Sequence, residues 1–266
     1  MSNPVIEAMT GRKSIRKYKK DPVPDDVLAE VVRAGQQAPF AYQMCSLLLS
    51  RNQKRNPFRA PLLFTICVDS HRHELVMARR GWKMVENDLS LLLFGIQDAA
   101  YVAENMVIAA ESLGMGSCFL GNAPYQAARI IKAYHLPPRV FPVVQLAMGY
   151  PAEDPPTRPR YPLEFTLFED RYPDLTEEQI QHAMQVMDEG YLAQGYYRKA
   201  RYRIPLEDGR EDPYTFENYG WTEHISRKAG QWFPVLQETI DLLIACGFHV
   251  AAQDPLGVDS KPTPTM

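Results

Sequence analysis

Cysteine is scarce in this sequence. Its four cysteines, Cys45, Cys67, Cys118 and Cys246, lie far apart among 266 residues, with no CxxC pair and no His/Cys ligand spacing. That excludes a disulfide-stapled scaffold and a thiolate metal site, and reduced thiols in the cytoplasm are expected. Positive charge is not in excess either. Twenty-nine Lys and Arg face 32 Asp and Glu, a net charge of −3, so neither nucleic acid nor an anionic membrane is expected as a partner held by bulk attraction. An uninterrupted hydrophobic run is missing as well. The longest apolar stretch, Val85 to Gly116, carries Glu86, Asp88, Asp98, Glu104 and Glu111. Those carboxylates would be costly in lipid, which predicts a buried helix and no membrane span. Met1 to Lys20 has no apolar segment of the kind an export signal requires. GxSxG, HExxH and GxxxxGK(S/T) are all absent, and Gly114-Met115-Gly116 lacks the third glycine of a dinucleotide fingerprint.

What is present is an ordinary globular composition, 45% apolar and 23% charged. Pro4 to Met9 reads as a short helix. Pro24-Asp25-Asp26 starts a second, with Val27, Leu28, Val31 and Val32 at helical spacing and Gly35 closing it. Met44 to Ser50 and Pro61 to Asp69 read as buried strands. Leu89 to Leu113 reads as a long helix with almost no polar face, stopped by Gly114. A strand at Ser117 to Leu120, a helix at Tyr125 to Tyr134 and a strand at Phe141 to Gly149 follow. Beyond Tyr150 comes a proline-rich extended arm. Helices at Thr176 to Gln194 and Trp221 to Cys246 then flank a polar, aromatic-rich segment, and the tail after Gln253 reads as frayed. Helices around a few separated strands predict an α+β fold.

Few residues offer chemistry. Arg12, Lys13, Arg16, Lys17, Lys19 and Lys20 fall within nine residues. They read either as a solvated face or as a phosphate clamp, since two guanidiniums around the Ser14 hydroxyl suit a phosphate monoester. His71 and His73 read as an exposed pair on a loop, without metal. His224 reads as a packing or capping residue. Cys67 and Cys118 sit in apolar runs, and Cys45 would be a nucleophile only with a histidine brought to it by the fold. No catalytic acid, base or nucleophile set emerges, a pattern suited to a protein whose bound cofactor does the chemistry.

Five segments in order resemble the nitroreductase superfamily of flavin enzymes, nearest the oxygen-insensitive major nitroreductases and NADPH-flavin oxidoreductases. They are Arg12 to Tyr18; Gly95 to Gly121; Leu146 to Pro151; Arg158-Pro159-Arg160-Tyr161-Pro162-Leu163; and Trp221 to Ile225. The resemblance implies a single nitroreductase-like domain over 1–266, with an extended arm at 151–175 and an insert-bearing region at 196–253. It implies a central mixed sheet flanked by helices in an intertwined homodimer, with FMN at each subunit interface and NADPH or NADH as hydride donor to a small-molecule electron acceptor. By the same resemblance Arg12, Lys13, Ser14 and Arg16, joined by Arg158 and Arg160, hold the phosphate and ribityl chain. Leu120, Gly121 and Asn122 approach the ring; Gln43 and Gln53 hydrogen-bond it; and Ala38, Pro39 and Phe40 lie along its edge. The implied reaction is two-electron ping-pong reduction of nitroaromatics, quinones or flavins, with no catalytic side chain and no metal.

The sequence departs from the pattern at Phe40, where serine is usual, and at Pro124, where the branch has a pocket arginine. The loop between Gln43 and Gln53 is shorter, and the segment Tyr197 to Gly220 is longer. Arg198, Lys199, Arg201 and Arg203 are each candidates to grip an NADPH phosphate. Two alternatives stay open at this point: specialised flavin chemistry such as fragmentation, dehalogenation or desaturation, and a flavin-binding sensor with the aromatic insert as a lid.

Overall fold

The computed structural model describes residues 3–231 and 236–250. In chain order its elements are α1 (Pro4–Gly11), α2 (Asp25–Gln36), β1 (Cys45–Ser50), β2 (Leu62–Asp69), α3 (His71–Arg79), α4 (Asp88–Ser112), β3 (Gly116–Leu120), α5 (Ala127–Tyr134), β4 (Val140–Gly149), α6 (Glu177–Ala193), α7 (Tyr196–Ala200), α8 (Trp221–Gln231) and α9 (Leu236–Ala245). They fall into two compact units: residues 3–10, 14–153 and 236–250, and residues 11–13 and 154–231.

The first unit is built on a four-stranded sheet in the order β1-β2-β4-β3. Every residue of β2 is buried, which explains why its sequence is a continuous apolar run without alternation. All strand pairs are antiparallel. The expected mixed sheet is mixed only through one parallel bridge, Ser14 to Ser117. Leu62, Phe64 and Ile66 of β2 pack with Ala99, Ala103, Met106, Val107 and Ala110 of α4 and with Val31 of α2. Two glycines set how closely these layers meet. A Cβ at Gly35 would lie 2.6 Å from Met106 Cγ, and one at Gly95 only 2.5 Å from Val68 Cγ1. Gly35 is therefore a contact residue inside α2, and the helix ends one residue later at Gln36. The stop after α4 is Gly114, at φ +73°, a left-handed backbone that favours glycine.

Two helices escaped the sequence analysis, the five-residue α7 inside the aromatic-rich segment and α3. His71 and His73 lie on α3, where the Asp69 carboxylate at the end of β2 accepts the Arg72 N–H at 3.2 Å. The cap comes from the strand, and the helix exposes Leu75 and Val76, so the amphipathic signature is absent.

The second unit holds α6, α7 and α8. Thr176 and Gln179 form a reciprocal capping box at the start of α6. Met187, Tyr191, Tyr197 and Tyr219 make this unit's own core. Arg227 is buried on α8, bonded to Asp212 at 2.7 and 2.8 Å and to Glu223 at 2.6 Å. The expected helix Trp221 to Cys246 is helical at 221–231 and at 236–245. Residues 232–235, 251–253 of the insert-bearing region, and the tail after Gln253 lie outside the described residues.

Candidate functional site

The N-terminal basic motif is tied to the sheet by isolated bridges, Ser14 to Ser117 and Tyr18 to Pro151. In the first unit the Ile15 N–H donates to Ser117 O and the Lys19 N–H to Tyr150 O, each at 2.9 Å. Residues 14–19 thus run beside the ends of β3 and β4. The Glu153 carboxylate accepts the N–H groups of Arg16 and Lys17 at 2.5 and 2.9 Å. Tyr18 is pinned by its hydroxyl donating to Ile15 O at 2.6 Å, and burial raises the affinity of that phenol for its proton. Among the described residues Arg12 and Arg16 have no ion-pair partner, so both guanidiniums are available to an anion. In the second unit Lys13 pairs with Asp154. Arg158 bonds Gln194 and lies 4.2 Å over the Tyr196 ring. Arg160 donates to the carbonyls of Arg158 and Pro159 at 3.1 and 3.0 Å.

The residues expected around the ring separate into two grooves of the first unit. The groove between α2, β1 and α4, about 380 Å³, is lined by Ala38, Phe40, Gln43, Ser46 and Asp98 among others. Pro39 stands exposed beside it, and Phe40 is 56% exposed. The loop is shaped by a residue the sequence analysis passed over. Asp98, 1% exposed within apolar α4, accepts the N–H groups of Ala41 at 2.7 Å, Tyr42 at 3.2 Å and Met44 at 2.9 Å. These donors flank Gln43, which holds φ +56°, an uncommon left-handed backbone for a side chain of this size. A buried carboxylate needs such donors, and a lone Asp in the buried stripe of a helix was the signal that could have revealed it.

The second groove, about 600 Å³, opens at the end of β3. Leu120 and Asn122 line it with Lys54, Arg55, Asn56, Arg129 and Gln145, and Gly121 is exposed between the first two. Gln53 opens the single turn that carries Lys54 and Arg55. Pro124 starts the short turn leading into α5.

Among the described residues no nucleophile–base pair is formed. Burial pushes the Cys45 thiol up to about 12, against a smaller opposing pull from Arg72, and burial raises Cys67 further. His224 stacks on Tyr197 with ring centres 4.6 Å apart, and its Nδ1 lies 3.3 Å from the Tyr219 hydroxyl. Burial, then the neighbouring Lys228, lowers its affinity for a proton, so it is a neutral packing residue. Tyr197 and Tyr219 are buried in the second unit's core, whereas Tyr202 and Phe216 of the same insert are exposed.

The Nitroreductase family model matches residues 9–53 and 46–150. An oxygen-insensitive NADPH nitroreductase of Salmonella typhimurium is 26% identical over 207 residues, covering 73% of this chain and 85% of that protein. An NADPH-dependent oxidoreductase of Staphylococcus aureus is 31% identical over 214 residues, covering 74% of this chain and 84% of that protein. The solved NADPH:FMN oxidoreductase of Vibrio harveyi, complexed with NAD+, superposes with a TM-score of 0.74 over 93% of this chain and all of that one. At 21% identity that last likeness is one of fold.

Proposed function

The chain belongs to the nitroreductase family, and from that membership we propose that it is an FMN-dependent NAD(P)H oxidoreductase that reduces nitroaromatics, quinones or flavins. The observation that carries the cofactor assignment is the seat of Ser14 against Ser117. Ser117 and Leu120 are three residues apart on β3, about 10 Å at the rise of an extended strand. A mononucleotide laid along that edge would have its phosphate at the basic motif and its ring at Leu120, Gly121 and Asn122. The donor set fits. By family membership the phosphate would be held by Arg12, Lys13, Ser14 and Arg16 with Arg158 and Arg160; among the described residues Arg12 and Arg16 have no carboxylate partner, as such a role requires. FMN held there would supply the redox chemistry, hydride acceptance from NAD(P)H and two-electron donation to the acceptor.

The chain's own part is to bind and orient. Gln43 and Gln53 supply amide hydrogen bonds, and Ala38, Pro39 and Phe40 supply an apolar edge. Residues 1–266 are read as one nitroreductase-like domain, with an extended arm at 151–175 and an insert-bearing region at 196–253. A homodimer is part of the proposal, because the two grooves divide the expected ring contacts and a second copy could reunite them. Leu89, Leu93, Ile96 and Tyr101 of α4 are exposed, an apolar face suited to such a partner. Among the described residues α4 is the one helix long and apolar enough to cross a membrane, yet nine of its residues, Asp98 included, are buried in the first unit. A cytoplasmic protein acting on small molecules fits best, with all four cysteines free.

An anaerobic absorbance spectrum of the purified protein, before and after NADPH or NADH, tests the proposal. Bound FMN that bleaches with one nucleotide supports it and identifies the donor. Protein that cannot be reconstituted with FMN, or whose FMN neither nucleotide bleaches, refutes it.

A further inference from the structure

Gln43 is held in an unusual backbone from two sides. At φ +56° it lies in the left-handed region, which a non-glycine residue keeps only where its surroundings enforce it. The peptide group that follows it is bonded at both ends. The Met44 N–H donates to Asp98 at 2.9 Å. The Gln43 carbonyl accepts from Arg72 Nη2 at 3.4 Å, and the same Nη2 donates to the Cys45 carbonyl. Asp98 thus holds the N–H groups of this bend, and Arg72 holds its carbonyls.

Arg72 is itself anchored. Its Nε lies 2.8 Å from the carboxylate of Asp69, which is 4% exposed and also accepts the Arg72 N–H and the Ser46 hydroxyl. The half-exposed guanidinium lines the same groove of about 380 Å³ as Phe40, Gln43 and Asp98. A fork spent on two carbonyls and a buried carboxylate is not a free cation, so it is a poor ligand for an anion. Nor is it needed to pair the strand, since β1 is in register with β2 from Cys45 to Ser50. The Gln43 side chain is in the opposite condition. It is exposed, and among the described residues its amide has no hydrogen-bond partner. A fixed backbone carrying an open amide is the arrangement of a group preset for a ligand.

We propose that Arg72 is a positioning residue for the flavin site: by fixing the peptide between Gln43 and Met44 it keeps the Gln43 amide presented to the ring of bound FMN. This rests on the FMN assignment proposed above. An amide N–H donated to the ring favours its electron-rich reduced form. Loosening Gln43 therefore lowers the flavin potential.

The test uses the purified protein and three variants, Arg72→Lys, Gln43→Ala and the two combined, each saturated with FMN. The midpoint potential and visible spectrum of the bound flavin are measured for each. Arg72→Lys keeps a cation beside Asp69 but loses the planar fork that reaches two carbonyls. Gln43→Ala should lower the potential, and Arg72→Lys should lower it too. The combined variant should fall short of the sum of the two shifts, because both act through one contact. A wild-type potential in Arg72→Lys, or a combined shift equal to the sum, overturns the role of Arg72 alone. An unchanged or raised potential in Gln43→Ala overturns the amide contact and the positioning role with it. Wild-type protein that takes up no FMN overturns the reading beneath both. Asp69→Asn, which loosens the same guanidinium, stands in for Arg72→Lys if that variant does not fold, and the same outcomes decide.

Discussion

The Asp98 carboxylate, within the apolar helix α4, accepts the N–H of Met44 at 2.9 Å. The same carboxylate takes the N–H groups of Ala41 and Tyr42, so one side chain fixes the bend that carries Phe40 and Gln43 to their groove. Asp98→Ala strands these backbone donors, and a loss of about 3 kcal/mol or more is expected from unsatisfied buried groups. Asp98→Asn keeps one acceptor oxygen and should lose roughly half as much by the same reasoning. Urea denaturation of both variants checks the order, and equal stability of Asp98→Ala and wild type would refute the role.

Gly95 and Gly35 separate two kinds of close packing. At Gly95 an added methyl meets the branched, stiff Val68; at Gly35 it meets Cγ of the unbranched Met106 at 2.6 Å. Gly95→Ala should cost about 1–3 kcal/mol as overpacking. Gly35→Ala should cost less than this, because the unbranched Met106 has more rotamers to move into than Val68. Thermal melts that place Gly35→Ala below Gly95→Ala would contradict this.

Arg16 and Arg160 test the phosphate end of the proposed cofactor site. Arg16→Ala or Arg160→Ala should purify with less flavin, with retention weakened about tenfold or more for each charge-assisted contact removed. Flavin content per chain, read from the visible and ultraviolet absorbance, decides it. Full occupancy in both variants would remove these residues from the site.

Cys45 makes stability depend on alkaline pH. Its thiol holds its proton up to about 12 in the fold, against an ordinary 9.0. An unfolded chain releases that proton once pH passes 9.0, while the folded chain retains it. The unfolded state then binds fewer protons, so stability falls as pH rises through this window. Burial of Cys67 and Tyr18 acts in the same direction. The melting temperature should decline between pH 9.0 and about 12, less steeply in Cys45→Ala. Thiol reagents at neutral pH should leave Cys45 unlabelled until the protein is denatured.

Much of the framework was legible from residue order. β2 announced itself as an unbroken apolar run because it is covered on both faces, and α4 as a helix without a polar side because it is apolar both where it meets the sheet and where Leu89, Leu93 and Ile96 are exposed. Arg12 to Tyr18 carried a family pattern that neither tertiary contacts nor charge counts could have supplied. α3 was not legible, since its cap comes from the preceding strand and its outward residues include Leu75 and Val76. Gly35 was misassigned for a related reason. A glycine that ends a helix and one that admits a neighbouring helix are the same letter, and only Met106 beside it distinguishes them.

Local order along the chain determined most of the elements and the family, because periodicity, composition and contiguous motifs are properties of neighbours in sequence. The tertiary structure alone decided which charges remain free. Lys54 and Arg55 are 74 residues or more from Arg129, yet they share one groove, whereas Arg203 and Arg227 are cancelled by Asp212. An arginine's value to a ligand depends on the nearest carboxylate in space, and that distance is fixed only when the chain folds.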